Sequence, residues 1–366
     1  MNNYKHYIPI LKWKPAEQLA LEKLSIKEKK FTSPLIQLVM PSPKTPKKNE
    51  KEKTYDEQLK EVINSFELKI PKIPEEIQRS WGNDPIMIDL SLIYTPSLRI
   101  KGFDEILRIG ESLGIFLIPV INLSSDEETK KTVALLAKKY RRGLCFRLVR
   151  SDFIDMNKLT EELQNFLKLH SLSEKEIDLL VDLKDDDKNE YYKLINLAQQ
   201  IPNLLDWRAF IFASGAFPVD LTDCKVNQEK YITRSDWKNW ITQINSGLLK
   251  RCPSYADYTI QHPIYKESVR FFSPSASIRY TLKDSWLILR GRRGKSVYYL
   301  AYSNLLSQSQ KYQKIFRGSS FSFGDAYIVE KGKDLNSKHP GGAKDWLVAG
   351  INHHLACTIE QIANLS

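Results

Sequence analysis

Short apolar runs rich in β-forming residues recur along the chain and alternate with segments of helical periodicity. Most successive runs are centred about 30 residues apart, which is the length of a strand, a crossover helix and two loops. The pattern therefore predicts eight buried strands: Tyr7–Leu11, Leu35–Met40, Ile86–Ile93, Ile115–Leu123, Leu144–Val149, Ile177–Leu183, Arg208–Ser214 and Ala256–Gln261.

The segments between these runs have helical spacing and helix-terminal signals. One of them opens with Ser125 and acidic residues and ends in basic ones, which suits both capping and the helix dipole. Eight β/α units predict an α/β fold of the (β/α)8 TIM-barrel type, as one domain over residues 1–366. An open doubly wound sheet is the rival, but no GxGxxG motif follows a strand.

Two parts of the chain depart from the β/α repeat. A segment rich in Pro, Lys and Glu, residues 42–53, predicts an exposed flexible loop, and a helix is expected from Tyr55 to Phe66. After the eighth strand, alternating residues predict a β-hairpin with strands Ser275–Tyr280 and Ser285–Arg290. We expect residues 264–345 to form an insertion that carries this hairpin on the C-terminal face of the barrel.

Composition is that of a soluble globular protein, with 42% hydrophobic and 27% charged residues. No run of about 20 apolar residues predicts a membrane span. The first residues lack the apolar region of a signal peptide. The four cysteines are scattered and none forms a CxxC pair, which predicts free thiols in a reducing cytoplasm.

The net charge of +11 is unevenly distributed. Residues 224–345 hold 21 Lys and Arg against 9 Asp and Glu, so this segment carries all of the excess positive charge. The densest cluster, Arg290, Arg292 and Arg293, lies close to Trp286. Arginines among aromatic residues suit contact with nucleic acid, another polyanion or a partner protein. The alternative is a solvated hairpin whose aromatic side chains pack on the rim of the barrel.

Polar residues end several of the predicted strands. The sixth run continues into Lys184 and three aspartates, and alternation turns Asp182 inward if Leu180 faces inward. A buried charge without a partner costs several kcal/mol, so such groups either pair or bind a ligand. The residues at comparable depth on the other strands are Lys12, Gln37, Asp89 with Ser91, Asn122, Arg147, Ser214 and Asp257.

Two interpretations of these polar residues stay open. Asp89, Arg147 and Asp182 can form an internal ion network. They can instead belong to a catalytic site, in which carboxylates bind Mg²⁺ or Mn²⁺ and the basic groups hold a phosphate, as phosphodiester hydrolysis requires. The candidate catalytic residues are Asp89, Asp182, Lys12, Arg147 and His262, and the candidate metal ligands are Asp89, Asp182 and Asp185.

Other roles compete for some of these residues. At least one residue of Asp185–Asp187 is expected to cap the following helix. A Schiff-base role for Lys12 is a further alternative that the sequence supports poorly. The loop Ser214–Pro218, with Ser214 and Gly215, is a candidate anion cradle after the seventh strand, and Lys184 is a separate candidate binding residue. His353 and His354 point about 100° apart on a helix and have no acidic partner four residues away, so no metal is expected there.

Five stretches in their order along the chain resemble the beta family of phage-satellite and prophage proteins. They are "YIPILKWKPAEQLALEKL", "YADYTIQHP", "SASIRYT" with "WLILRGR", "FSFGDAYI" and "WLVAGINHHL". The resemblance implies an intracellular protein of an anti-phage defence cassette and supplies no catalytic residues. We therefore predict a cassette component that binds a partner protein or an anionic ligand at the barrel mouth. A metal-dependent phosphodiesterase or nuclease is the alternative. Carboxylates converging on an open pocket would favour the enzyme, and carboxylates paired with Arg147 or Lys12 would favour the binding protein.

Overall fold

Eight parallel strands close into a barrel, which confirms the predicted (β/α)8 fold. The computed structural model describes residues 4–43, 54–185, 187–265 and 275–365. Its strands are β1 Ile8–Lys12, β2 Leu35–Gln37, β3 Ile86–Asp89, β4 Leu117–Ile121, β5 Leu144–Val149, β6 Ile177–Asp185, β7 Ala209–Gly215, β8 Glu229–Thr233, β9 Ser254–Asp257, β10 Ser275–Thr281 and β11 Ser285–Arg293. Strands β1 to β7 and β9 form the barrel in chain order, and β9 pairs with β1 to close it.

Helices follow most of the barrel strands. They are α1 Pro15–Glu22, α2 Ile26–Lys29, α3 Tyr55–Glu67, α4 Ile73–Ser80, α5 Pro96–Ser112, α6 Glu127–Tyr140, α7 Met156–His170, α8 Lys188–Ala198, α9 Ser235–Ile244, α10 Val297–Gln308, α11 Phe323–Gly332 and α12 Ala343–Ala363. The helix predicted from Tyr55 is confirmed as α3. No helix among the described residues combines the length and the apolar character needed to cross a membrane.

Side-chain caps explain where several helices begin. Thr54 accepts a hydrogen bond from the backbone amide of Glu57, whose carboxylate accepts one from the Thr54 amide in return. Asp187 accepts hydrogen bonds from two amides in the first turn of α8, so the predicted capping role of the aspartates after β6 is confirmed. At α6 the capping residue is Asp126 rather than Ser125, because the carboxylate of Asp126 receives the amide of Thr129.

The predicted hairpin is confirmed, but it belongs to a larger sheet. Strands β10 and β11 pair in antiparallel fashion, and β11 also pairs with β8. The sequence "EKYIT" of β8 was not predicted as a strand, because most of its side chains are exposed or partly exposed and give no apolar run. We call the three strands together the second sheet. Its apolar face packs with α10 and α11 around Tyr299, Leu306 and Ile328.

Alternation along each barrel strand separates two apolar regions. Ile8, Leu35 and Leu180 face the interior of the barrel, whereas their neighbours pack outward against the surrounding helices. Helix α12 contacts α1 of the barrel, and it also contacts α11 and β10 of the insertion. This helix therefore joins the barrel to the second sheet.

Two boundaries differ from the sequence predictions. The eighth barrel strand ends at Asp257, not at Gln261, and the chain turns at Thr259 with a positive φ of 59°. Asp257 was predicted to face inward. It faces outward instead, since its neighbours Ala256 and Tyr258 pack inside the barrel. The predicted flexible loop of residues 42–53 lies, except for its first two residues, outside the described residues.

Candidate ligand site at the mouth of the barrel

Polar residues occupy the barrel interior at the C-terminal ends of the strands. Lys12, Gln37, Asp89, Arg147 and Asp182 each lie two positions beyond an inward-facing apolar residue, and each is buried. Parallel strands all end at the same rim, so these side chains from separate strands meet there. The predicted inward orientation of these five residues is confirmed.

Arg147 is the centre of an ion network inside the barrel. Its Nε and Nη2 atoms donate hydrogen bonds of 2.9 and 2.7 Å to Oδ2 of Asp182, and its Nη1 atom donates to Oδ2 of Asp89. Nη2 also donates to the hydroxyl of Tyr258 at 2.7 Å, and that hydroxyl donates to Asp182 at 2.8 Å. One guanidinium group is therefore shared by both carboxylates.

The remaining carboxylate oxygens of the network also have donors. Oδ2 of Asp89 accepts from Nε2 of Gln37 at 2.9 Å, and Oδ1 accepts from the backbone amide of Ser91 at 2.7 Å. Oδ1 of Asp182 accepts from the backbone amide of Lys184 at 3.0 Å, and Nζ of Lys184 lies 3.0 Å from Oδ2. A fully satisfied network of this kind holds its members in fixed positions.

Electrostatics keep both carboxylates ionised. Burial alone would raise the pKa of Asp89, but the Arg147 charge and the hydrogen bonds from Ser91 and Gln37 outweigh burial and leave the pKa below its ordinary value. The pKa of Asp182 is lowered further, because Lys184 and Arg147 together outweigh burial. The network therefore stays charged throughout the physiological pH range.

Lys12 lies beside the network and differs from its members in that no carboxylate of the described residues lies within salt-bridge distance of its amine. Its Nζ atom donates to Oε1 of Gln37 at 2.9 Å and to the carbonyl of Pro263 at 3.4 Å, and it lies 5.0 Å from the centre of the Tyr258 ring. Burial lowers the pKa of Lys12 to about 7, and the charges of Arg147 and Lys184 act in the same direction. The amine is therefore divided between its charged and neutral forms at neutral pH.

A cleft of about 480 Å³ opens above Lys12, between the barrel mouth and the second sheet. Lys14 lies in its wall, where its Nζ atom donates to the hydroxyl of Tyr265 at 3.0 Å. Arg279 of β10 also lines the cleft and donates to the carbonyl of Ile260 at 2.8 Å. Burial lowers the pKa of Arg279 to about 10, so the guanidinium is still charged at neutral pH.

The other residues predicted for the mouth occupy different positions around this cleft. His262 lines it, and its Nε2 atom lies 3.2 Å from Oδ1 of Asp185. Ser214 and Gly215 are not in its wall, whereas the residues that follow them, Phe217 to Leu221, are. A Cβ atom on Gly215 would lie 3.0 Å from both Pro263 and Tyr258, so close packing accounts for the glycine at this position.

The geometry of the carboxylates bears on the predicted metal site. A divalent cation needs several oxygen ligands that are not already engaged by a cation. Oδ2 of Asp89 and Oδ2 of Asp182 both accept from Arg147, and Asp185 instead lies beside His262. In the part of the chain that the structure describes, no group of three or more His, Cys, Asp or Glu side chains is placed to hold a metal ion.

The residues predicted for the hairpin surface have unequal exposure. Trp286 is completely buried, and its ring centre lies 5.2 Å from that of Phe217. The prediction that Trp286 contacts an external partner is therefore wrong. Arg290 donates to the carbonyls of Thr222 and Cys224 and thereby fastens β11 to the preceding loop. Arg292 and Arg293 are exposed, as predicted.

His353 and His354 of α12 are buried and each faces a different aspartate. Nδ1 of His353 lies 2.7 Å from Oδ2 of Asp325, and its Nε2 atom lies 2.8 Å from the carbonyl of Thr281. Nε2 of His354 lies 2.9 Å from Oδ2 of Asp257. Neither acidic partner was visible in the helix sequence, because both come from distant segments of the chain.

Tyr258, Lys14 and Arg279 were not assigned to the site from sequence. The stretch "YADYT" contained a usable signal for the tyrosine. If the small residue Ala256 faces inward, strand alternation predicts that Tyr258 also faces inward. The sequence prediction instead placed Asp257 on the inward face. Nothing in the sequence pairs Arg279 with Lys14, because only the packing of the second sheet against the mouth brings them to one cleft.

Fold and site together define a (β/α)8-barrel protein with an internal ion network at its mouth and a cationic cleft above that network. A family model described as Beta protein matches residues 7–360, so the chain belongs to the Beta protein family. This confirms the family resemblance of the five sequence stretches. No curated protein matches the chain.

Proposed function

We propose that the protein binds an anionic ligand in the cleft at the C-terminal mouth of the barrel. The observation that carries this proposal is the buried amine of Lys12, which lines the cleft and, in the part of the chain that the structure describes, has no carboxylate within salt-bridge distance. A cationic group held at the base of a cleft costs free energy unless something anionic binds there. Binding of an anion would supply the missing partner.

Two further cations support the proposal. Lys14 and Arg279 line the same cleft, and within the described ranges neither lies within salt-bridge distance of a carboxylate. Asp220 also lies in the wall, but Thr222 donates two hydrogen bonds to its Oδ1 atom. Lys12, Lys14 and Arg279 together suit a phosphate or carboxylate group, which such side chains bind through charge-assisted hydrogen bonds.

The internal network supports binding rather than metal-dependent hydrolysis. Both of the deepest carboxylates are paired with Arg147, which is the arrangement expected of a binding protein. A phosphodiesterase would need those oxygens for a metal ion. The network instead connects to Lys12 through Gln37, and hydrogen bonds of this kind hold a binding group in position.

Calorimetric titration with inorganic phosphate and with nucleoside phosphates tests the proposal. We expect Lys12→Gln and Lys14→Gln to weaken binding about tenfold or more, since each removes a charge-assisted hydrogen bond. Lys29→Gln is the matched control. Lys29 also lies over an aromatic ring, 5.3 Å from the centre of Trp81, and it donates to the carbonyls of Ser80 and Trp81 away from the cleft. Equal binding by Lys12→Gln and wild type would refute the proposal.

The cellular setting is a second part of the proposal. The resemblance to phage-satellite and prophage proteins supports a role in a cytoplasmic anti-phage defence cassette, with a cassette-encoded protein as partner. The exposed Arg292 and Arg293 supply a basic surface for that partner or for a nucleic acid. Trp286 takes no part in this contact, since it is buried. A phage-challenge assay tests the two surfaces separately. The cassette with Lys12→Gln tests the cleft, and the cassette with both Arg292→Glu and Arg293→Glu tests the basic surface.

A further inference from the structure

We propose that Lys12 is a nucleophilic amine that forms a Schiff base with the carbonyl carbon of an anionic aldehyde or ketone bound in the cleft. This inference rests on the proposed function, because the ligand's anionic group must first be held by the cations of the cleft. It adds the substrate class, a carbonyl compound bearing a phosphate or carboxylate, and it makes the site reactive rather than only binding.

The contacts of Lys12 differ from those of a structural lysine. Both acceptors of its Nζ atom are uncharged, namely Oε1 of Gln37 and the carbonyl of Pro263. Lys184, which lies over the same Tyr258 ring, is paired instead with Asp182. A carboxylate partner stabilises the ammonium form, whereas uncharged acceptors and nearby cations favour the neutral amine. Only the neutral amine has the lone pair that attacks a carbonyl carbon.

The surroundings of Lys12 also lower its proton affinity without removing it from reach. Its side chain is 5% exposed, yet it forms part of the cleft wall. Burial lowers its pKa to about 7, which leaves about half of the amine neutral at pH 7. An ordinary exposed lysine is less than about 0.1% neutral at that pH. Desolvation beside other cations is a known way of activating a lysine.

The reaction needs no component beyond the carbonyl compound and water. The lone pair of the Lys12 nitrogen attacks the carbonyl carbon, the carbonyl π electrons move to oxygen, and that oxygen takes up a proton. The nitrogen loses a proton to solvent and gives a neutral carbinolamine. The carbinolamine hydroxyl then leaves as water, and the C=N bond of the imine forms. One water is released for each bond made, and hydrolysis reverses the sequence.

The cations around Lys12 explain why an anionic carbonyl compound is the expected partner. Lys14 and Arg279 can hold a phosphate or carboxylate at the rim of the cleft, while the carbonyl end reaches the amine below. Holding two reacting groups together raises their effective concentration. A neutral aldehyde lacks this anchor and would react slowly.

Trapping with borohydride tests the inference. The wild-type protein is incubated with pyridoxal 5′-phosphate, an anionic aldehyde, and in parallel with pyridoxal, which lacks the phosphate. Borohydride then reduces any imine to a stable amine, and peptide mass mapping locates the modified lysine. We expect Lys12 to be labelled about tenfold or more faster than Lys29 at pH 7, and faster by the phosphate-bearing aldehyde than by pyridoxal.

The pH profile of labelling and a competition arm complete the test. Labelling of Lys12 should be half-maximal near pH 7, whereas exposed lysines become reactive only near their pKa of about 10. Inorganic phosphate should slow the labelling of Lys12. Lys12→Gln should lose this label and keep the others. Because the label is mapped in the wild-type protein, the result does not depend on the folding of that variant.

The outcomes separate this inference from the proposed function. If inorganic phosphate binds but Lys12 gives no reduced adduct, the Schiff-base inference is overturned and anion binding stands. If phosphate neither binds nor slows labelling, and pyridoxal labels Lys12 as fast as its phosphate ester, the proposed anion site is overturned and with it the anionic substrate class. A Lys12 label no faster than that of Lys29 would also overturn the inference.

Discussion

The barrel mouth and the underside of α12 both bury aspartates, but they neutralise them in different ways. Inside the barrel, Asp89 and Asp182 share Arg147, whose guanidinium keeps its charge at every physiological pH. Under α12, Asp257 and Asp325 face His354 and His353, and burial lowers the pKa of His354. The Arg147 network therefore keeps its charge across this pH range, whereas the stability contributed under α12 depends on the protonation of His354.

The two histidines also differ from each other. Both ring nitrogens of His353 face oxygen atoms, one of the Asp325 carboxylate and one of the Thr281 carbonyl. Nδ1 of His354 faces the hydroxyl of Thr281 and the indole of Trp286, and an indole N–H can only donate. His354 therefore accepts at Nδ1 and is neutral. Burial lowers the pKa of His354, in agreement with that assignment.

Removing the permanent charge of Arg147 should have the largest effect on the stability of the protein. Arg147→Ala strands two buried carboxylates, so we expect a loss of about 3 kcal/mol or more in the free energy of unfolding. Chemical denaturation followed by circular dichroism measures it. Arg99→Ala is the control, since Arg99 pairs with Asp126 near the surface and should cost about 1 kcal/mol or less. Equal losses in the two variants would show that the internal network is not what stabilises the mouth.

Removing a titratable partner should have an intermediate effect. His354→Gln takes one donor from Asp257, which keeps Tyr7 and the Thr259 amide, so we expect a loss of about 1–3 kcal/mol at neutral pH. Because the pKa of His354 is lowered in the folded state, the unfolded chain binds more protons just below pH 6.5, and wild-type stability should fall as the pH drops through that range.

The pH dependence of His354→Gln sharpens this prediction. Thermal melts between pH 7.5 and 5 should show a shallower decline for the variant than for wild type, after its lower starting value is allowed for. Some decline should remain, since burial also lowers the pKa values of His6 and His170. His170→Gln is the control for a histidine nearer the surface. A variant slope as steep as that of wild type would count against a neutral His354.

Lys12 should change the stability of the protein at alkaline pH, above the range in which His354 does so. Its pKa is lowered to about 7 in the folded state and is about 10.4 in the unfolded chain. The unfolded chain therefore binds more protons between these values, so wild type should gain stability relative to Lys12→Met as the pH rises from 7 to 10. We expect a gain of up to about 3 kcal/mol, measured by denaturant titration at several pH values. A constant difference would show that Lys12 has an ordinary pKa.

Charge reversal on the exposed end of β11 should have the smallest effect on stability. Arg292→Glu with Arg293→Glu should change the free energy of unfolding by about 0.5 kcal/mol or less, as is usual for surface residues. If this end binds a polyanion, wild type should bind single- or double-stranded nucleic acid with an affinity that falls steeply with salt, and the double variant should not bind. Lys175→Glu with Lys193→Glu reverses two exposed charges elsewhere and should bind as wild type does.

Strand spacing and alternation determined the barrel, since a buried parallel strand must be apolar and the crossover between strands has a nearly constant length. The same alternation placed Lys12, Asp89, Arg147 and Asp182 inside the barrel before any contact was known. Alternation gave the wrong orientation for Asp257. When the end of a strand is misplaced by a few residues, the sequence no longer determines which way its last side chains point. Alternation also missed β8, whose exposed and charged residues give no apolar signal.

Tertiary structure alone decided which polar groups meet. The cleft joins Lys12 and Lys14 of the first β/α unit to Arg279 of β10, about two-thirds of the chain away. The aspartates that face His353 and His354 lie 28 and 97 residues from them. Local pattern reports only which way a side chain points, whereas pairing and pKa depend on what distant segments bring to the same point in space. The amine of Lys12 is reactive or inert for that reason alone.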